Sequence, residues 1–152
     1  MTPLGFAQAL AVDLAPPFPT GGPLPDPFHA QLGDVVIDCP GTYVTIQTIT
    51  DVDPTGGGGL GNRNCDKIEM ATVIIIAARD CSFVANEDGT TDWSKQDAVS
   101  AQQDRDAEAL REQCEKWRAD AWYIPPGVPV TLVYANTGNL AWVQMTLQLP
   151  IP

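Results

Sequence analysis

Basic residues are scarce in this sequence of 152 residues. It carries 8 Lys and Arg residues against 19 Asp and Glu residues, which gives a formal net charge of -11. Phosphate backbones and anionic lipid heads repel such a surface, so ordinary nucleic-acid binding and electrostatic membrane binding are disfavoured. The length is that of one domain with a single hydrophobic core.

Long hydrophobic runs are also missing. The longest apolar run, residues 71–78, has the size of a strand, whereas a membrane-spanning helix needs roughly 20 apolar residues. The apolar stretch over residues 6–14 has no Lys or Arg ahead of it and is interrupted by Gln8 and Asp13. It does not match a signal peptide, so we expect the chain to begin its life in the cytoplasm.

Cysteines are few and widely spaced, with no C-x-x-C pair among Cys39, Cys65, Cys81 and Cys114. This spacing gives no support to a zinc knuckle or a thioredoxin-type site. Buried free thiols in a reducing compartment are the favoured interpretation. The alternative is a disulfide that closes after the protein leaves the reducing cell, with Cys81–Cys114 or Cys39–Cys65 as the candidate pairs.

Catalytic constellations find no support either. His29 is the only histidine and no serine lies in a G-x-S-x-G motif, so a hydrolytic triad is not indicated. Acidic and basic residues are interleaved in the helical pattern between residues 104 and 118, which predicts a solvated, salt-bridged face and not an acid–base pair. The acidic residues are Asp104, Asp106, Glu108, Glu112 and Glu115, and the basic ones are Arg105, Arg111, Lys116 and Arg118. We therefore expect neither an enzyme nor a bound cofactor.

The segment from Asp51 to Asn64 resembles a calcium loop in its first half. Asp51, Asp53 and Thr55 supply alternate oxygens, and a glycine follows for the sharp turn. The second half departs from the pattern because Asn62 occupies the position of the bidentate glutamate, and no helix follows. We do not predict a metal site here.

The same segment contains glycine spacings typical of phosphate-binding loops. Gly56, Gly58 and Gly61 spell G-x-G-x-x-G, but that motif needs a helix N-terminus behind it, and here another strand follows. A P-loop is excluded because Asn62 and Arg63 stand where Lys and Ser or Thr are required. The sequence predicts a glycine-rich hairpin tip that is flexible or ordered by a partner.

The first 30 residues combine a short helix with a segment rich in proline and glycine. Thr2 and Pro3 are typical of a helix start, and apolar residues follow at helical spacing up to Leu14. Prolines between residues 16 and 27 exclude regular structure until about Phe28. Because Phe18, Leu24 and Phe28 are apolar anchors, an extended arm lying on a neighbouring protein is favoured over a disordered linker.

Residues 31–152 form the predicted domain. Val35 to Ile37 and the alternating stretch Tyr43 to Thr50 predict two strands joined by a tight turn, and Ile68 to Ala78 predicts a strand buried on both faces. Asp88-Gly89 is a turn signal. Two further strands, over residues 130–134 and 140–149, predict a closing hairpin.

One long helix precedes this hairpin. Ser94 and Asp97 form a weak capping box, and no proline or glycine follows until Pro125. Its apolar face consists of Ala107, Leu110, Cys114, Trp117 and Ala121. The predicted fold is α+β, with a mostly antiparallel sheet of four to five strands covered on one face by this helix.

Core packing is the default expectation for the four tryptophans. Trp117 belongs to the apolar face of the helix, Trp93 resembles a hydrophobic staple, and Trp142 lies on the last strand. Trp122 follows the helix. A subunit interface is the alternative role, because tryptophan is enriched there.

The order and spacing of these elements, from Cys39 to Ile151, resemble the tail terminator proteins of long-tailed phages that infect actinobacteria. The matching features cover about three quarters of the chain and include no catalytic signature. They are Cys39-Pro40 before the strand Tyr43–Thr50, Cys65 before Ala71–Ile75, Arg79-Asp80-Cys81, Asp88-Gly89, Asp106-Ala107, Gly138-Asn139-Leu140 and Leu147–Pro150.

The resemblance implies a structural virion protein, assembled in the host cytoplasm, whose copies form a sixfold ring. Such a ring caps the tail tube, ends tube polymerisation and joins the tail to the head connector, while DNA only passes through its lumen. A head-to-tail stopper or completion protein and a tail tube subunit are the alternative roles, and a small calcium-binding module is a remote one. The candidate contact residues are Phe18, Leu24, Phe28, Asp51, Asp53, Leu60, Arg63 and Trp142.

Overall fold

The computed structural model describes residues 1–53, 67–124 and 127–152. Its α+β architecture confirms the predicted fold class, with a five-stranded open sheet in the order β1-β2-β3-β5-β4. The elements are α1 (Pro3–Leu14), β1 (Phe28–Leu32), β2 (Gly41–Val52), β3 (Ile68–Asp80), a short 3-10 helix (Ser82–Val84), α2 (Trp93–Asp120), β4 (Thr131–Thr137) and β5 (Leu140–Pro150).

Helix α1 begins as the sequence predicts. The Thr2 hydroxyl oxygen accepts a hydrogen bond from the Gly5 N–H at 3.1 Å, and Pro3 occupies the first turn, where its missing N–H has no cost. The apolar residues of α1, among them Phe6, Leu10 and Leu14, are buried against the sheet. The indole N–H of Trp117 on α2 donates to Asp13 at 2.8 Å, which joins the two helices.

The proline-rich segment after α1 belongs to the same core, which corrects the prediction of an arm lying on a neighbour. Phe18 and Leu24 are only 6% and 4% exposed and pack with the core residues of this chain. A Cβ on Gly21 would lie 2.4 Å from the carbonyl oxygen of Arg105, so the segment contacts α2 at a distance that only glycine permits. In this chain the core of the same domain removes the apolar anchors of the irregular segment from water.

The first strand pair also differs from the prediction. Residues 35–37 are not a strand, and β1 at Phe28–Leu32 pairs in parallel with β2. The intervening residues return to the start of β2 across the sheet face that the helices leave open, where Val35 and Ile37 pack with Tyr43. The apolar triplet that suggests a strand therefore covers this second face. The Tyr43 hydroxyl donates to the Cys39 carbonyl at 2.7 Å, which fixes the end of the connection.

The centre of the sheet agrees with the prediction. β3 lies between β2 and β5, antiparallel to both, and is buried on both faces from Val73 to Ala78. β2 and β3 form the expected long hairpin, paired as far as Val52 and Ile68. Its predicted tip lies outside the described residues, and with it Thr55, the three motif glycines, Leu60, Asn62, Arg63 and Cys65.

Helix α2 extends over 28 residues and begins earlier than expected. Asp92, not Ser94, is the N-cap, and its carboxylate accepts hydrogen bonds from the N–H groups of Ser94 and Lys95 at 3.1 and 3.3 Å. Trp93 is 72% exposed, so the staple interpretation is wrong. The predicted face is buried from Ala107 to Trp117, and the helix ends at Asp120.

We predict that Phe18→Ala lowers the free energy of unfolding by about 3–5 kcal/mol, because Phe18 lies in the core. Phe83→Ala, the same change at a half-exposed position, is the matched control and costs less than about 1 kcal/mol. Urea unfolding followed by circular dichroism measures both. Equal small effects would show that the proline-rich segment does not belong to the core.

Candidate functional site: a polar cleft and two open sheet edges

A cleft of about 410 Å³ opens where β3 ends, beside the first half of α2 and the start of β5. Its wall combines charged, amide and apolar side chains, which is the usual composition of a ligand pocket. The lining residues are Arg79, Asp80, Phe83, Ala98, Val99, Gln102, Gln103, Arg105, Asp106 and Ala141.

The strongest interaction in this cleft is a bidentate ion pair between Arg79 and Asp106. The Arg79 Nε and Nη2 atoms lie 2.8 and 2.9 Å from the two carboxylate oxygens, and the Asp106 side chain is only 2% exposed. Gln102 also donates to Asp106 at 3.0 Å, and Arg79 Nη2 donates to the Pro23 carbonyl at 2.9 Å. Asp106 therefore does not lie on the solvated face that its sequence context predicts. It joins β3, α2 and the proline-rich segment.

A second buried polar side chain fixes α2 to the last two strands. The Gln103 side-chain amide nitrogen lies 3.2 Å from the carbonyl oxygens of Ala135 and Trp142 and 3.3 Å from the Asn136 side-chain oxygen. Buried amides placed in this way satisfy backbone carbonyls and fix the register of the packed elements. The polar groups of the cleft are thus engaged in holding the fold.

The cysteines of the described residues are free thiols. Burial raises the pKa of Cys81 and of Cys114, so both remain protonated at neutral pH and are poor nucleophiles and metal ligands. Cys81 packs beside Val99, and Val99 precedes Cys114 by roughly 22 Å along α2. A Cys81–Cys114 disulfide is therefore excluded, because bridged Cα atoms lie within about 7 Å.

Metal binding finds no geometric support in the part of the chain that the structure describes. No group of three or more His, Cys, Asp or Glu side chains there is arranged to hold an ion. Asp51 lies exposed near the end of β2, opposite Glu69, and Asp53 follows the strand. The remaining residues of the calcium-like motif lie outside the described ranges.

The two border strands of the sheet form a different kind of candidate site. Among the described residues β1 pairs with β2 alone and β4 pairs with β5 alone, so each leaves one row of backbone N–H and C=O groups without a strand partner. Natural proteins usually protect such edges with Lys, Pro, bulges or covering elements. Neither β1 (FHAQL) nor β4 (TLVYANT) contains Asp, Glu, Lys, Arg or Pro.

Exposed apolar side chains lie on both border strands. Val133 and Tyr134 of β4 are each 45% exposed, and Leu32 of β1 is 51% exposed. None of the charged residues of the sequence lies after Asp120, so the β4–β5 hairpin is uncharged throughout. Because the whole chain has a net charge of -11, this uncharged hairpin differs from the rest of the sequence. Depletion of charge is typical of the centre of a protein interface.

The contact residues predicted from the sequence are scattered over the structure. Phe18 and Leu24 are in the core, Phe28 is half-buried on the border strand β1, and Trp142 packs on the second face of the sheet. Sequence reasoning missed the β4 edge with Val133 and Tyr134. The run of residues without charge after Asp120 was the available signal.

No helix in the described part of the chain has the length and apolar character to span a membrane. No protein-family model matches the chain, and no match is found among curated proteins or among solved structures.

We predict that Asp106→Asn lowers the free energy of unfolding by about 3 kcal/mol, because it leaves Arg79 without its bidentate partner. The partial exposure of Arg79 keeps the cost at the lower end of the range for buried pairs. Asp104→Asn, on the exposed side of the same helix turn, should stay within about 0.5 kcal/mol. Denaturant titration of both variants measures the difference, and equal values would contradict a stabilising role for the pair.

Acid should weaken the connection between β3 and α2. Hydrogen bonds from Ser82, Thr90 and Ser94 hold the pKa values of Asp80, Asp88 and Asp92 below their usual range. A depressed pKa contributes stability above the unfolded-state value near 3.8, and this stability is lost as the pH falls through the folded-state value.

We expect the urea midpoint of the wild-type protein to decrease as the pH falls below the unfolded-state pKa. Asp92→Asn should make this decrease smaller, because asparagine still caps the helix but has no carboxylate to protonate. Urea titrations from pH 6 to about 2 test this, because protonation is the only change across the series. Identical slopes for both proteins would contradict the role of the Asp92 carboxylate.

Proposed function

We propose that the protein is a structural subunit whose copies assemble edge to edge into a closed ring, as a tail terminator of a long-tailed phage does. One observation carries this proposal: β1 and β4, the two border strands of one open sheet, contain neither charged residues nor proline, and among the described residues each pairs with one strand only. Two complementary edges on opposite sides of a subunit favour a heterologous contact that repeats from copy to copy. In a closed ring of such contacts every edge strand is paired.

Strand directions support edge pairing between copies. β1 is parallel to β2, β2 and β5 are each antiparallel to β3, and β4 is antiparallel to β5. β1 and β4 therefore run in opposite directions. When copies are related by rotation about an axis along the strands, β1 of one copy meets β4 of the next as an antiparallel pair, the commoner type of pairing.

The acidic surface and the resemblance to tail terminators supply the rest of the proposal. A net charge of -11 suits a channel through which DNA passes without binding, because a basic lining would retain phosphates. The partners are further copies of the chain, the tail tube protein below and the head connector above. The ring acts in the virion, at the junction of tail and head.

We predict sixfold rings with a central hole in negative-stain electron microscopy of the concentrated protein. Val133→Lys should abolish them, because lysine on an edge strand blocks further pairing. Val36→Lys, on an exposed valine outside both edges, adds the same charge and should leave the rings intact. Light scattering measures the mass of each variant. A wild-type protein that stays monomeric at millimolar concentration would contradict the proposal.

The terminator role itself is tested in particles. Loss of the protein should give tails of uncontrolled length and heads that remain unjoined. Normal-length tails in its absence would support a stopper instead, with ring assembly retained.

A further inference from the structure

We infer that a second copy of this chain binds the β4 side of the subunit with its β1 side, and that Tyr134 enters the groove between α1 and β1 of that copy. This inference rests on the proposed ring and specifies its contact. Three features of the described residues carry it: the distribution of charge, the two grooves that flank the border strands, and the register of Tyr134.

The β1 side of the subunit is acidic. Residues 1–62 of the sequence contain six Asp residues and neither Lys nor Arg. Asp26 and Asp34 are exposed and lie two residues before and two residues after β1. A partner that approaches this border strand therefore meets negative charge at both of its ends.

The β4 side carries exposed arginines. A groove of about 240 Å³ separates α2 from the start of β4, with Cys114, Val130 and Leu132 as its apolar part. Arg111, Arg118 and Glu115 complete its lining, so the groove has one excess positive charge. Helix α2 as a whole carries seven acidic and five basic residues, so the excess of positive charge is confined to this groove, where Arg111 and Arg118 face a single glutamate.

The distribution of charge favours one of the three possible contacts between border strands of two copies, which are β4–β4, β1–β1 and β4–β1. A β4–β4 contact would bring the Arg111 and Arg118 side chains of two copies together, and a β1–β1 contact would oppose Asp26 and Asp34 to their own equivalents. Like charges at an interface cost several kcal/mol, which suppresses both symmetric dimers. Only β4 against β1 brings opposite charges together, and that contact is heterologous.

Tyr134 gives the contact its apolar part. It lies opposite Val143 in the strand register and so belongs to the helix-covered face of the sheet, at the free edge. The β1 edge has a groove of about 400 Å³ on the same face, lined by Gln8, Ala11, Val12, Ala15, Phe28 and Ala30. When the sheets of two copies continue into each other with the middle residues of β4 and β1 opposite, Tyr134 faces Ala30 and lies over this groove. Tyrosine buried in a pocket is a frequent interface anchor.

A charge-swap experiment tests the inference. Arg111→Glu/Arg118→Glu makes both sides acidic, and Asp26→Lys/Asp34→Lys makes both sides basic. Each variant alone should associate roughly 100-fold more weakly than the wild type, as like-charge contacts require. An equimolar mixture should regain rings in which the two variants alternate, because every contact in such a ring pairs opposite charges.

Native mass spectrometry reads the result, since alternating rings contain the two variants in equal number. Lys95→Glu/Arg105→Glu is the control, with the same charge change on the same helix but away from the β4 groove, and it should keep wild-type association. Rings that form from either swapped variant alone, or no recovery on mixing, would overturn the β4–β1 contact while leaving ring assembly standing. A monomeric wild type would instead overturn the proposed function.

A second variant keeps the test informative if a charge swap unfolds the chain. Tyr134→Ser removes the exposed ring and leaves the strand, so its melting temperature should match the wild type. Its association should weaken by at least about 10-fold, as for an interface anchor. Unchanged association of a folded Tyr134→Ser protein would contradict the groove contact.

Discussion

A strand at the border of a sheet leaves one row of backbone hydrogen-bonding groups without a strand partner, and the described residues of this protein contain two such strands. Water satisfies these groups in a free subunit, yet the strand remains a template for another chain. Most domains limit this with charge or proline. Here both are absent from β1 and β4, and the exposed Leu32, Val133 and Tyr134 add apolar surface to the same edges.

No other strand of the described residues pairs with these edges. Helices α1 and α2, with the proline-rich segment between α1 and β1, cover one face of the sheet, and the connection before β2 covers part of the other through Val35 and Ile37. The Arg79–Asp106 pair and Gln103 hold the layers together by polar contacts. Among the described residues, no buried side-chain nitrogen or oxygen lacks a hydrogen-bond partner. The polar side chains that line the cleft beside them therefore serve first to stabilise the fold and not to bind a ligand.

Periodicity predicted the elements whose burial follows from their own sequence. The alternation of β2, the continuous apolar run of β3 and the proline-free length of α2 were sufficient to indicate an α+β fold. The sequence did not reveal the parallel β1, because its five residues carry no clear alternation and Val35 to Ile37 offered a stronger local signal. That triplet packs on the sheet without joining it, which only the tertiary structure decides.

The candidate site was harder to predict for the same reason. Asp106 has the neighbours of a solvated helix position, and its burial depends on Arg79, 27 residues away in the sequence. The sequence marks Phe18 and Leu24 as apolar anchors, but local sequence does not say whether an anchor binds its own domain or another. The free edge at β4 follows from the strand order, which brings β5 between β3 and β4.

Hydrogen exchange of the β4 backbone tests the central claim most directly, because pairing between copies must protect amides that a free edge leaves open to water. With rising protein concentration, the outward-facing N–H groups of residues 131–137 and those of β1 should become protected together, while the exposed turn at Asp88-Gly89 keeps its rate. Exchange at β4 that stays equally fast at every concentration would contradict edge-to-edge assembly.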